Sequence, residues 1–106
     1  MAWVALVVAG LLEVGWATFM KLSEGFTRLG PSVATIVLML ASFGLLSYAM
    51  RSLPLGTAYA VWTGIGAVGS VIVGILFMGE SRDPLRLLCI ALIVSGLVGL
   101  RLTSGE

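Results

Sequence analysis

No charged side chain occurs from Ser52 to Gly79, a stretch longer than the about 20 apolar residues that cross the hydrocarbon core of a bilayer as a helix. The same alternation of charge clusters and apolar runs marks the whole chain. Charges fall at Glu13, at Lys21, Glu24 and Arg28, at Arg51, at Glu80, Arg82, Asp83 and Arg86, and at Arg101 and Glu106, with apolar sequence between them. Of the 106 residues, 59% are hydrophobic and 10% charged, against about 45–50% and about 25% in an ordinary soluble domain. Such a chain cannot clothe a folded surface in polar groups, so a soluble globular protein is excluded. The charge spacing predicts an all-α membrane protein: one domain over residues 1–106, with helices over about 2–20, 31–50, 53–79 and 84–102.

The first run has no basic leader, no small-residue cleavage site and an acid inside it, so it reads as a retained helix and not a signal peptide. Pro31 suits a first helical turn, where its missing N–H is not needed. The third run is long enough to tilt or bend, and Gly64 and Gly66 are the expected place for a bend because glycine weakens a helix. The fourth, from Leu87 to Leu100, is short but can span if Pro84 starts it and Arg86 and Arg101 snorkel outward. Ala91, Ser95 and Gly99 form a small-residue stripe along it that permits close packing, either within the chain or against a second subunit. The short connections make neighbouring helices antiparallel, which predicts an up-down-up-down bundle.

Lys and Arg in short loops orient a membrane protein. Arg51 and Arg101 lie on the side of the termini, against Lys21, Arg28, Arg82 and Arg86 on the other. That bias is weak, and it suggests insertion both ways. Many secondary transporters alternate access through inverted repeats; two oppositely inserted copies of this four-helix chain, an antiparallel homodimer, would supply that symmetry.

Function narrows on what is absent and on one acid. With no histidine and a single cysteine, Cys89, there is no zinc-ligand set, disulfide framework or Cys/His pair, so no enzyme, metal or cofactor is expected. A net charge of +1 provides no basic patch for nucleic acid. Glu13 is the one ionisable residue inside a membrane segment, and such groups are costly and generally functional. A carboxylate that holds a proton or a cation, but not both, couples their opposite movements by competition. Gly10 and Trp16, and Ala9 and Ala17, share its helix face. Tyr59 and Trp62 share a face with Gly66 on the third helix, and Ser42 is the mid-membrane hydroxyl of the second. Indole, phenol and hydroxyl donors of this kind can orient a buried carboxylate, and aromatic faces attract cations.

The run Glu13-Val14-Gly15-Trp16-Ala17-Thr18-Phe19-Met20-Lys21, with Ser23 to Leu29 and Pro31-Ser32, resembles the first-helix and loop signature of the small multidrug resistance family. Pro54 to Gly69 resembles its third-helix signature. The resemblance covers nearly the whole chain. It implies a proton-coupled cation exporter of a bacterial inner membrane, working as an antiparallel, dual-topology homodimer with two Glu13 carboxylates in one site. Trp16 and the run from Gly56 to Gly69 are similar to the guanidinium-exporting branch. On that basis Glu13 binds proton or substrate, Ser42, Tyr59 and Trp62 hydrogen-bond or wall the carboxylate, Trp16 lines the site, and Ala91, Ser95 and Gly99 pack the dimer. The expected partners are the bilayer, a second copy, protons and a small cation. The chemistry points the same way, since guanidinium matches a carboxylate through paired hydrogen bonds, whereas a quaternary ammonium calls for an apolar aromatic cage. A quaternary-ammonium exporter is the alternative, and a small oligomeric channel a more distant one.

Overall fold

A computed structural model of the chain describes residues 1–103. Ser104 to Glu106, with the charge noted above at Glu106, lie outside the described residues. Four helices occur in order: α1 (Ala2–Leu22), α2 (Leu29–Ala49), α3 (Leu55–Phe77) and α4 (Pro84–Thr103). Each is long and apolar enough to cross a membrane.

Local hydrogen bonds set where each helix stops, and they shift the boundaries expected from charge spacing. α1 runs on to Leu22 because Ser23 closes it: its backbone N–H donates to the Phe19 carbonyl at 2.8 Å, and its hydroxyl donates to the Met20 carbonyl at 2.7 Å while accepting the Phe26 N–H at 3.0 Å. Glu24, Gly25 and Phe26 then take positive φ values of 50°, 76° and 66°, which turns the chain sharply. α2 starts at Leu29, so Pro31 falls in its first turn. α3 starts two residues later than expected, because Pro54 is extended at φ −58° and ψ 147° and only its carbonyl joins the helix, accepting the Ala58 N–H at 3.0 Å. It ends at Phe77 and not Gly79. Met78 and Glu80 both donate their backbone N–H to the Gly74 carbonyl at 3.0 Å, and Gly79 at φ 69° makes the left-handed turn that glycine allows. α4 opens on Pro84, capped by an Asp83 carboxylate that accepts the Leu85 N–H at 2.9 Å.

The helices alternate in direction. Gly15 of α1 approaches Leu38 of α2, and Val4 and Ala5 share a cleft with Leu45 and Tyr48, so α1 and α2 are antiparallel. Gly10 against Ile65 and Val14 against Gly69 make α1 and α3 parallel. α1 is central, packed on α2 and α3, whereas α4 lies along α3 and reaches α1 through Arg101, whose guanidinium sits 4.8 Å from the centre of the Trp3 ring. The result is a flat body of 43 × 34 × 16 Å.

Burial is uneven along the membrane normal. The apolar core is Ala5, Leu6 and Ala9 of α1, Leu46 and Ala49 of α2, Leu53, and Ala58, Val61 and Trp62 of α3. All of it lies in the half of the bundle nearer the N-terminus. In the other half a cavity of about 540 Å³ separates Leu11, Gly15 and Thr18 from Val73 and Phe77. No residue of α4 is buried.

Candidate functional site

Glu13 sits on the close contact of α1 and α3, just beyond the apolar core. Its side chain fits beside Gly66 so closely that a Cβ at that position would overlap the carboxylate. On either side along the seam, a Cβ at Gly10 would come within 2.7 Å of the Ile65 side chain, and one at Gly69 would overlap Val14. Small residues on both helices therefore allow backbone approach, and at one point the space is filled by a carboxylate. Glu13 is half-buried. Its Oε1 is buried and has no hydrogen-bond partner among the described residues. The same is true of the Trp16 indole N–H, one turn further on. Charged groups in this position are expensive unless paired.

Of the donors expected around Glu13, Ser42 and Trp62 are engaged with each other. Ser42 is fully buried; its hydroxyl donates to the Ala9 carbonyl at 2.7 Å and accepts the Trp62 indole N–H at 3.0 Å. A helical carbonyl has a second lone pair beyond its ladder bond, and Ala9 lies one turn before Glu13, within reach of α2. Trp62 and Ser42 thus satisfy each other and tie α3 and α2 to α1, without a hydrogen bond to the carboxylate. Tyr59 is 55% exposed and touches the site only through Trp62, with ring centroids 5.8 Å apart.

Phe43, whose side chain has no hydrogen-bond donor to single it out in the sequence, joins these rings. It meets Trp16 edge-on at 6.3 Å and Trp62 at 5.8 Å, so Trp16, Phe43, Trp62 and Tyr59 form one aromatic chain from the site to the surface. Its only signal in the sequence is its place next to Ser42. Ser42→Ala leaves the buried Trp62 N–H without its acceptor. This variant is expected to lose about 1–2 kcal/mol of stability, read as a lower melting temperature in detergent; an unchanged melting temperature would show that the relay is not structural.

The glycines of α3 lie at close contacts with the neighbouring helices. The helix is unbroken from Leu55 to Phe77. Gly66 accommodates Glu13, and Gly64 faces the other way, where a Cβ would come within 2.6 Å of Leu97 on α4. Close approach to α1 and α4 is what these positions provide. On α4, Ala91 and Ser95 are exposed and Gly99 half-buried. The Ser95 hydroxyl donates to the Ala91 carbonyl at 2.8 Å within its own helix. The contact of α4 with Gly64 of α3 runs through Leu97, so Ala91 and Ser95 are left uncovered by their own chain.

Comparison with known proteins agrees with this architecture. The sequence model described as Small Multidrug Resistance protein matches residues 1–93. A protein of Citrobacter freundii named guanidinium exporter is 60% identical over 104 residues, covering 98% of this chain and 99% of its own length. One of the same name from Salmonella typhimurium is equally similar, and one from Escherichia coli K12 is 59% identical over the same coverage. With four membrane-length helices among the described residues and relatives in Citrobacter, Salmonella and Escherichia, the protein is a multi-pass component of the bacterial inner membrane, and the chain belongs to the small multidrug resistance family.

Proposed function

We propose that this protein is a proton-coupled antiporter that exports guanidinium and small guanidinyl cations, and that it works as an antiparallel homodimer in which two Glu13 carboxylates share one site. The observation that carries the reading is the buried, unpartnered Glu13 oxygen in an otherwise apolar helix. A neutral, protonated carboxyl and a carboxylate paired with a cation are the two ways to relieve it, and they exclude each other. Exchange of one for the other across the membrane is antiport. Guanidinium suits the site because its planar N–H fork can meet both carboxylate oxygens while its faces lie against the indoles of Trp16 and Trp62. The names of the relatives, at 59–60% identity over nearly the full chain, favour the same cargo.

The homodimer is supported by α4, which has apolar side chains on every side and no buried residue, and by the uncovered Ala91 and Ser95. Inverted pairing follows from the weak loop-charge bias and from the need for two access states in a four-helix chain.

One observation favours a second cargo. The aromatic chain through Phe43 to the exposed Tyr59 provides apolar faces of the sort that hold quaternary ammonium ions. Reconstitution into liposomes separates the two. An inward guanidinium gradient is expected to drive protons outward, with tetraethylammonium far less effective. Proton movement with tetraethylammonium but not guanidinium would establish the second cargo, and guanidinium flux indifferent to a pH gradient would overturn antiport.

A further inference from the structure

The α1–α3 seam that holds Glu13 continues to the loop end of the bundle. Two helical turns from the Glu13/Gly66 contact, about 12 Å along each of these parallel helices, lie Lys21 and Gly74. Gly74 is buried, and a Cβ there would overlap the carboxylate of Glu80. With its backbone N–H donated to the Gly74 carbonyl, Glu80 lies against α3 at the end of the bundle, its side chain still 41% exposed. Beside it is a cavity of about 120 Å³ whose lining includes Ala17, Thr18, Lys21, Ser70 and Glu80. Val73 and Met78 complete the lining, so Lys21 and Glu80 are charged groups in a mostly apolar recess, and Ala17 on its wall is one turn from Glu13. The Glu80 carboxylate is already occupied: Arg86 of α4 places Nη2 2.7 Å from Glu80 Oε1.

A guanidinium on a carboxylate is the contact proposed for cargo at Glu13. We infer that Glu80 is a second, outer seat for the transported guanidinium on its way to or from Glu13, and that the Arg86 side chain is a tethered guanidinium holding that seat when no cargo is present. The inference rests on guanidinium being the cargo. Free guanidinium presents the same planar N–H fork as Arg86 and can replace it bond for bond. A quaternary ammonium has no N–H and cannot, and the recess is too small for long alkyl chains. Lys21 on the facing wall keeps the seat weak. Weakness is required, because a site along a path must release what it binds.

The test uses full-length protein in detergent, with Arg side chains labelled with ¹⁵N. In a Glu13→Gln background the inner site cannot compete. Millimolar guanidinium chloride is then expected to shift the Arg86 Nε–Hε resonance saturably, and equal concentrations of sodium or tetramethylammonium chloride are not. With Glu80→Gln added, the saturable response disappears. A resonance that guanidinium leaves in place, or that all three salts move alike, overturns the outer seat. Transport provides a second readout in otherwise wild-type protein. Arg86→Lys keeps the charge but loses the fork, and it should lower the guanidinium KM severalfold, whereas Glu80→Gln should raise it. If both variants raise KM together, the pair is a structural clasp and the seat is refuted. Absence of guanidinium flux in the wild type would instead refute the cargo itself, so the two failures are distinct.

Discussion

Glu13→Gln eliminates guanidinium-driven proton movement in liposomes and removes the pH dependence of guanidinium binding. Glutamine preserves the shape of the side chain in the Gly66 notch but carries no charge and takes up no proton. Truncating one partner of a buried charge pair costs about 2–5 kcal/mol, so affinity should fall by a factor of about 30 to several thousand. In the wild type the sign is fixed by competition: protonating Glu13 removes the negative charge that holds the cation, so guanidinium binding weakens as pH falls. In the variant the binding that remains should be weak and flat with pH. Calorimetric titration at several pH values, with flux measured on the same preparation, checks both parts. Retained coupled transport would overturn the carboxylate mechanism.

Gly66→Ala should separate binding from folding. The added Cβ would overlap the Glu13 carboxylate, which is the free end of a flexible side chain. The helices can stay in place while the carboxylate moves. Helical content and melting temperature are therefore expected to remain near wild type, while guanidinium affinity drops by about tenfold or more, equivalent to about 1.4 kcal/mol. Gly30→Ala is the matching control, since a Cβ there meets nothing within 4 Å. Unchanged affinity in Gly66→Ala would show that the notch does not position Glu13; unfolding would show that α1 and α3 tolerate no shift of this side chain.

The existence of four helices was legible because hydrophobic length and charge spacing are properties of the chain itself. Where each helix ends was less so. The closure by Ser23, the extended Pro54 and the Gly79 turn are settled by individual hydrogen bonds that a charge count does not register. Glu13 stands out in the sequence by type and position. What surrounds it depends on contacts between helices: helical spacing identifies Ser42 and Trp62 as donors but does not say that they meet each other and the Ala9 carbonyl. Phe43 has no polar atom and so gives a search for donors nothing to find. Gly64 and Gly66 read as weak points in a helix, and the steric contact each makes, with Leu97 and with Glu13, is visible only once the helices are placed side by side.

α4 has a consequence of a different kind. A helix that buries none of its residues in its own chain gains further packing only when another molecule meets it, and that gain obeys mass action. The placement of α4 should therefore depend on how crowded the bilayer is with copies of this protein. Diluting the protein with lipid at constant temperature would loosen α4 before it disturbs the α1–α3 seam, so the protein-to-lipid ratio would itself set how much of the population is competent.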